Sequence, residues 1–232
     1  MNYRHQFHAG NFADVVKHAL LVQLVRALQK KDKGFFYLDT HAGRGSYDLS
    51  AAARGDSLAR AAEWPDGIGR LWSPVQPPTG LAEFVALVRQ FDADRGNRDV
   101  LPKFYPGSPS IVRALARPQD RLGLCEKHPE ELAALEAEFC FTPRTAVHHV
   151  DGYVALRAML PPLERRALVL IDPPFEAQDE FTQIVAALRD GLTRMPNRIY
   201  AIWYPLTERA KVDRFFAELM ALRLPPTLAL EL

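Results

Sequence analysis

Apolar residues recur at helical spacing between residues 11 and 30, at Val16, Leu20, Leu24, Ala27 and Leu28. Asn11 marks the cap of this predicted helix, and Lys30-Lys31 and Lys33-Gly34 mark its stop. Phe35-Phe36-Tyr37-Leu38-Asp39 follows as a short apolar, aromatic run that suits a buried strand. It ends in Thr40-His41-Ala42-Gly43-Arg44-Gly45, a glycine-bearing turn. From residue 47 to about 106 the pattern changes. No strand stands out, and one amphipathic helix is marked by Leu81, Phe84, Val85, Val88 and Phe91. Trp64-Pro65, the prolines of 74–78 and Gly80 punctuate the rest. Such a stretch is too long for a simple strand connection, so the pattern predicts an inserted helical subdomain over 47–106.

Strand–helix alternation then resumes. Gly107-Ser108-Pro109 opens a helix that runs to about 116, and a strand follows over 121–126. A helix near 129–139 carries Leu132, Leu135 and Phe139 on one face, and a strand at 146–150 ends at Asp151-Gly152. Ala167-Leu168-Val169-Leu170-Ile171 is apolar at every position, the mark of a central parallel strand buried on both faces. It runs into Asp172-Pro173-Pro174-Phe175. A helix near 178–190 (Phe181, Ile184, Val185, Leu188), a strand at 198–204, a helix near 208–221 and a last alternating strand at 226–232 complete the chain. This order predicts an α/β fold: a parallel sheet with right-handed crossovers, formed by 1–46 and 107–232.

Composition narrows the class. The 232 residues are 48% hydrophobic and 25% charged, enough for one full domain and a modest insertion without metals or disulfides. A disordered chain, a collagen-like chain and a disulfide scaffold are excluded. No apolar run is long enough to span a bilayer, and Met1-Asn2-Tyr3-Arg4-His5 opens without an apolar signal core. Cys125 and Cys140 as the only cysteines fit a reducing, cytoplasmic setting. The net charge of +1 gives no global pull toward nucleic acid or membrane. Locally, residues 1–33 are basic: Arg4, Lys17, Arg26, Lys30, Lys31 and Lys33 face only Asp14 and Asp32, and His5, His8 and His18 add to them. A solvated helix face and a phosphate-facing patch both account for this. Arg165-Arg166 is a second basic cluster, too small to decide anything.

In an open α/β sheet, ligands bind beyond the carboxyl ends of the strands. Those ends hold Asp39, His41, Gly43 and Gly45, then Glu126, then Asp151 and Gly152, then Asp172 to Phe175. Glu126 can accept two hydrogen bonds from vicinal ribose hydroxyls, or simply cap a helix. Gly43 and Gly45 allow close approach of a ligand to the backbone, but the G-x-G-x-x-G phosphate fingerprint is incomplete, which disfavours a pyrophosphate ligand such as NAD. Asp151-Gly152 fits contacts to an adenine ring or a plain turn. In Asp172-Pro173-Pro174-Phe175 two prolines stiffen the backbone past a buried strand. The Asp172 carboxylate and Pro173 carbonyl can then accept both N–H groups of an exocyclic amine while Phe175 stacks on its ring. His148 and His149 point to opposite faces of a strand, and no metal site is expected.

Asp-Pro-Pro-Phe after an apolar strand resembles the motif of amino-group methyltransferases that use S-adenosylmethionine. Further strings resemble one family over essentially the whole chain: Tyr3-Arg4-His5, Phe7-His8-Ala9-Gly10-Asn11, Ala13-Asp14-Val15, Lys17-His18, Tyr37-Leu38-Asp39-Thr40-His41-Ala42-Gly43, Tyr105-Pro106-Gly107-Ser108-Pro109 and Leu170-Ile171-Asp172-Pro173-Pro174-Phe175. That family is RlmJ, the bacterial 23S ribosomal RNA adenine-N6 methyltransferases. The resemblance implies a Rossmann-like methyltransferase sheet with a small helical insertion. It implies S-adenosylmethionine contacts at His18, His41, Gly43, Ser108, Glu126, Asp151, Gly152 and Asp172, with catalysis by Asp172, Pro173 and Phe175. It implies RNA contacts at Tyr3, Arg4 and His5. The family aromatic after the prolines is commonly Tyr; Phe175 stacks equally well. The expected partner is 23S ribosomal RNA, with no membrane and a monomeric chain. The family continues beyond the position matching Leu232, so a fragment or shortened gene product with an exposed sheet edge near 226–232 is expected. A DNA adenine-N6 methyltransferase and an inactive RNA-binding module are the alternatives.

Overall fold

A computed structural model describes residues 5–53, 61–72 and 77–231. Helix α1 (Phe12–Gln29) leads into β1 (Phe36–Asp39), and β2 (Ser46–Asp48) and α2 (Leu49–Ala53) follow. Then come α3 (Ala82–Asp94), β3 (Phe104–Pro106), α4 (Ser108–Leu115), β4 (Arg121–Glu126), α5 (Pro129–Phe139), β5 (Thr145–His149), α6 (Gly152–Met159), β6 (Ala167–Ile171), α7 (Glu180–Arg194), β7 (Ile199–Ile202) and α8 (Arg209–Met220). Five parallel strands pair in the order β5-β4-β1-β6-β7. The crossovers run one way from β1 and the other way from β6, which opens a crevice beyond the carboxyl ends of these two neighbours. The fold is α/β and Rossmann-like, as the alternating pattern predicts.

Strand alternation divides the core in two. Phe35, Tyr37, Leu122, Leu124, Leu168 and Leu170 pack on one side with the buried faces of α1, α4 and α5. Phe36, Leu38, Val169 and Ile171 pack on the other with α6, α7 and α8. Strand β6 is buried at all of its positions, so its unbroken apolar run reads correctly as the sheet centre.

Four expectations change. Helix α1 forms where predicted, with Asn11 accepting from the Asp14 amide, but its core face is rotated. Val15, His18, Leu21, Val22 and Val25 are buried, while Leu20 is 41% exposed. The apolar periodicity missed this because polar residues occupy part of the buried face. Secondly, 47–106 is not strandless: β2 and β3 pair antiparallel, with Tyr47 opposite Tyr105, where the chain leaves and rejoins the sheet. Strands this short carry no periodic signal. Thirdly, Asp151-Gly152 is not a plain turn: a helix without a predicted counterpart, α6, follows Asp151, whose side chain caps it by accepting from the Tyr153 amide. Lastly, 226–231 form no strand; Leu228 is exposed, and Glu231 is held by Arg209 at 2.8 Å. Pro225 and Pro226 stand at its start, and alternation alone makes no strand without a partner to pair with.

Candidate active site

The register of the sheet builds an acidic rim. Asp39 lies level with Leu124 of β4 and Leu170 of β6, so Glu126 and Asp172 each stand two residues further out, on either flank of β1. His149 of β5 lies level with Glu126, which puts Asp151 two residues beyond it. All four successive strand ends, read from the sequence as one topological set, open on a single cavity of about 650 Å³. His18, His41, Gly43, Ser108, Glu126 and Asp151 line it together with Gly152, Asp172, Pro173 and Phe175. Tyr3 and Arg4 lie outside the described residues; His5 opens a short 3-10 turn.

Lys17 closes the far side. Its ammonium stands 2.6 Å from Asp172 Oδ2 and 2.7 Å from Asp14 Oδ1, and it is almost fully buried. Burial alone would lower the Lys17 pKa, but the two carboxylates outweigh it and hold the pKa above the ordinary lysine value. Asp14 in turn accepts from the Gly10 amide at 3.0 Å, and Lys17 also lies 5.9 Å from the centre of the Trp203 ring. The cluster is Asp–Lys–Asp, one ammonium shared by two carboxylates. The start of α1 is fixed from outside by residues 61–72. There the Ile68 amide donates to the Gly10 carbonyl, and Glu63 accepts from Asn11 while pairing with His8.

The other predicted residues divide by environment. Asp39 is fully buried and accepts from Tyr37 and Ser108, each at 2.6 Å. Desolvation lifts its pKa to about 6. His41 contacts Thr40 Oγ1 at 2.8 Å, and burial pushes its pKa down to about 4, so the ring is neutral at pH 7. His18 contacts the Tyr105 hydroxyl at 2.8 Å. Ser108 stands at the start of α4, where its hydroxyl serves Asp39.

Glu126 accepts three backbone N–H groups: Gly43 at 2.8 Å on Oε2, and Lys127 and His128 at 2.8 and 2.7 Å on Oε1. A carboxylate has roughly four acceptor sites, so one remains, and the expected pair of ribose hydrogen bonds reduces to a single one. Asp151 caps α6 and pairs with Lys127 at 2.8 Å. At Gly152 a Cβ would stand 2.0 Å from the Thr40 carbonyl oxygen; here glycine permits close approach of α6 to β1. Phe175 has φ of 52°, the left-handed region, and its ring packs 5.1 Å from Phe181.

Two features escaped the sequence reading. Asp14 and Lys17 share one face of α1 with the predicted His18 and with Leu21 and Val25. Titratable residues at i, i+3 and i+4 on a core face were the available signal. Tyr153 and Glu180, joined at 2.5 Å across the cavity wall, left no such sign. The basic residues of 1–33 part company: Lys17 turns into the site, Arg26 pairs with Glu83 at 2.7 Å, and Lys30, Lys31 and Lys33 lie at the other end of α1, before β1. Among the described residues no cluster of His, Cys, Asp and Glu is placed to hold a metal, and no helix is long and apolar enough to cross a membrane.

Comparison with known proteins decides the family. Residues 32–232 match the family described as ribosomal RNA large subunit methyltransferase D, RlmJ. The chain belongs to the RlmJ family. Proteins named ribosomal RNA large subunit methyltransferase J from Escherichia coli (strain K12) and from Haemophilus influenzae are each 40% identical over all 232 residues, which cover 80% of those proteins. A crystal structure of a Legionella pneumophila protein superposes with a TM-score of 0.82 at 36% identity, over 93% of this chain and 76% of that one. The RlmJ fold is thus the fold found here, and the cavity described above lies at its sheet's switch point.

Proposed function

We propose that this chain transfers a methyl group from S-adenosylmethionine to N6 of an adenosine in 23S ribosomal RNA. The observation that carries the reading is the Asp172 carboxylate at the switch-point crevice, fixed through one oxygen by buried Lys17 and followed directly by Pro173 and Phe175. RlmJ membership supports methyl transfer on ribosomal RNA; the donor, the 23S target and the division into 1–46 with 107–232 and an inserted 47–106 are part of the proposal.

The residues present fit the donor. The cavity has the size of a small-molecule site, roughly 300–1,000 Å³. Its wall carries Glu126 with one acceptor site left, and the Asp172 carboxylate stands at its rim, where an acid favours a nearby cationic group. S-adenosylmethionine supplies an electrophilic methyl group on a sulfonium. Glu126 would hold a ribose hydroxyl, with His41, Asp151 and Gly152 beside it.

Asp172 performs the decisive task. Lys17 occupies Oδ2, which leaves Oδ1 to accept one N–H of the adenine amino group while the Pro173 carbonyl accepts the other. Two acceptors draw the amino nitrogen toward tetrahedral geometry and stabilise the positive charge that develops on it. Alignment of nitrogen with the methyl carbon supplies much of the remaining rate. The base must be unpaired or turned out of its stack to reach this depth, with Phe175 as its stacking surface. Tyr3, Arg4 and His5 would contact the RNA, and the chain would work as a monomer.

The test is transfer of labelled methyl from S-adenosylmethionine to unmodified 23S ribosomal RNA, with the product nucleoside identified by mass spectrometry. The wild type should yield N6-methyladenosine, and Asp172→Ala, folded and still binding the donor, should yield none. A folded Asp172→Ala chain with wild-type turnover would overturn the mechanism.

A further inference from the structure

The sheet is polarised. Its carboxyl ends carry the acidic rim, whereas the segments entering the amino ends are basic: Lys30, Lys31 and Lys33 before β1, Arg117 before β4, Arg144 before β5, Arg165 and Arg166 before β6, and Arg194 and Arg198 before β7. Some of these cations have structural duties. Arg117 pairs with Asp120 at 3.0 Å, and Arg144 reaches Glu164 at 3.6 Å. Arg166 donates to the carbonyls of Leu28 and Lys33 and ties α1 to the sheet.

Three arginines have no such duty. Arg165, Arg194 and Arg198 line a second cavity of about 300 Å³, walled by Pro161, Pro162 and Pro196 and without an acidic residue. No carboxylate of the described residues pairs with any of the three. Arg198 Nε is shut off from solvent and has no hydrogen-bond partner, and its Nη1 reaches only the carbonyl of Asn197. Arg194 sits in the last turn of α7, where a cation offsets the helix dipole. That accounts for one guanidinium and leaves two others held beside it with no compensating charge. Like charges gathered in a proline-walled recess that no acid lines are the chemistry of an oxyanion site.

We infer that this recess binds a backbone phosphate of the RNA substrate, one sheet length away from the methyl-transfer cavity. The inference rests on the reading of RNA as substrate. An acidic active-site rim repels a polyanion, so contacts beyond it must add to the affinity for RNA, and beside those of Tyr3, Arg4 and His5 the basic edge would supply them. The separation, roughly 17 Å along β6, is comparable with the reach of a folded RNA lying against the domain. Phosphate contacts of this kind set register and affinity and leave base choice to the active site.

The experiment compares the full chain with Arg165→Gln/Arg194→Gln/Arg198→Gln and with the single exposed change Arg194→Gln, which guards against misfolding of the triple variant. Binding to in vitro transcribed 23S ribosomal RNA is measured over a salt series, with thermal melting and S-adenosylmethionine affinity as controls. The triple variant should bind RNA about tenfold more weakly, with the slope of log K against log salt reduced by about one, while donor affinity is unchanged. The single variant should shift the same way by less. Equal RNA affinity and slope in wild type and variants would overturn the inference. So would thermal stabilisation by inorganic phosphate that the triple variant loses while its RNA binding stays intact, which marks a free-anion site. If the wild type itself bound no RNA, the substrate reading would fall and take this site with it; donor-dependent methylation of RNA by the wild type separates the two failures.

Discussion

Lys17 Nζ lies 2.6 Å from Asp172 Oδ2, an ion pair that joins the first helix to the end of the fourth sheet strand in the chain across 155 residues. Because Asp14 shares the same ammonium, loss of Lys17 leaves a buried and a part-buried carboxylate without it. Breaking a buried pair in this way costs about 3–5 kcal/mol. Lys17→Met should therefore be both unstable and inactive. Asp14→Asn/Lys17→Met takes away one carboxylate together with the ammonium, so the carboxylate repulsion of the single variant is relieved and much of the stability should return, yet transfer should stay at least about a hundredfold down because Asp172 is no longer held in place. Urea unfolding and methyl-transfer rates on the two variants check this; a double variant with wild-type turnover would show that Lys17 matters only for folding.

Glu126 has two tasks that can be separated. Its three backbone partners need both oxygens as acceptors, and Gln offers only one, with an NH₂ facing donors in place of the other. Glu126→Gln should weaken donor binding about tenfold or more, while the maximal rate with saturating donor stays within a few-fold of wild type. Titration calorimetry with S-adenosylmethionine and a rate series over donor concentration give both numbers. An unchanged Kd would remove Glu126 from the donor site.

Gly152 is sterically determined. An added Cβ would meet the Thr40 carbonyl oxygen at 2.0 Å, and a backbone atom cannot yield as a side-chain tip can. Gly152→Ala should cost on the order of 1–3 kcal/mol as α6 shifts off β1, and donor affinity should fall with it. At Gly80 nothing stands within 4 Å of the same added atom, so Gly80→Ala should stay within about 0.5 kcal/mol of wild type. Denaturation midpoints rank the pair, and the reverse order would contradict the packing described.

Much of this architecture is legible in the sequence where one physical rule acts alone. The unbroken apolar run of 167–171 can only be a strand covered on both sides, and the acids past each strand end become one site through register, as β1, β4 and β6 show. Legibility fails where two rules compete. Helix α1 buries Asp14, Lys17 and His18 for the sake of the site, so its apolar periodicity points to the wrong face. Strands β2 and β3 are too short to show a period, and their pairing depends on a return of the chain from residue 48 to 104. Arg165-Arg166 says little in sequence, because Arg194 and Arg198 join it only through the fold.

Asp39 and His41 titrate in opposing senses within one turn of chain, and stability against pH should show it. Asp39 has its folded pKa raised from 3.8 to about 6 by desolvation, so the folded state binds the extra proton; its favourable contribution is complete below pH 4 and is lost as pH rises through 6. His41 has its folded pKa lowered from 6.5 to about 4 by burial, so the unfolded state binds the extra proton; its contribution is complete above pH 6.5 and is lost as pH falls toward 4. Each shift corresponds to about 3 kcal/mol, and in the wild type the two slopes largely offset between pH 4 and 6. Asp39→Asn leaves His41 alone, so its stability relative to wild type should fall as the pH is lowered through that window. His41→Asn leaves Asp39 alone, and its relative stability should rise over the same interval. The carboxyls held low by partners, Asp120, Glu138, Asp151 and Glu164, are common to all three chains and cancel in the differences. Urea unfolding at half-unit steps from pH 4 to 7 reads the slopes directly. Slopes of the same sign in both variants would mean that the burial of one of these groups is relieved by water reaching the cavity floor.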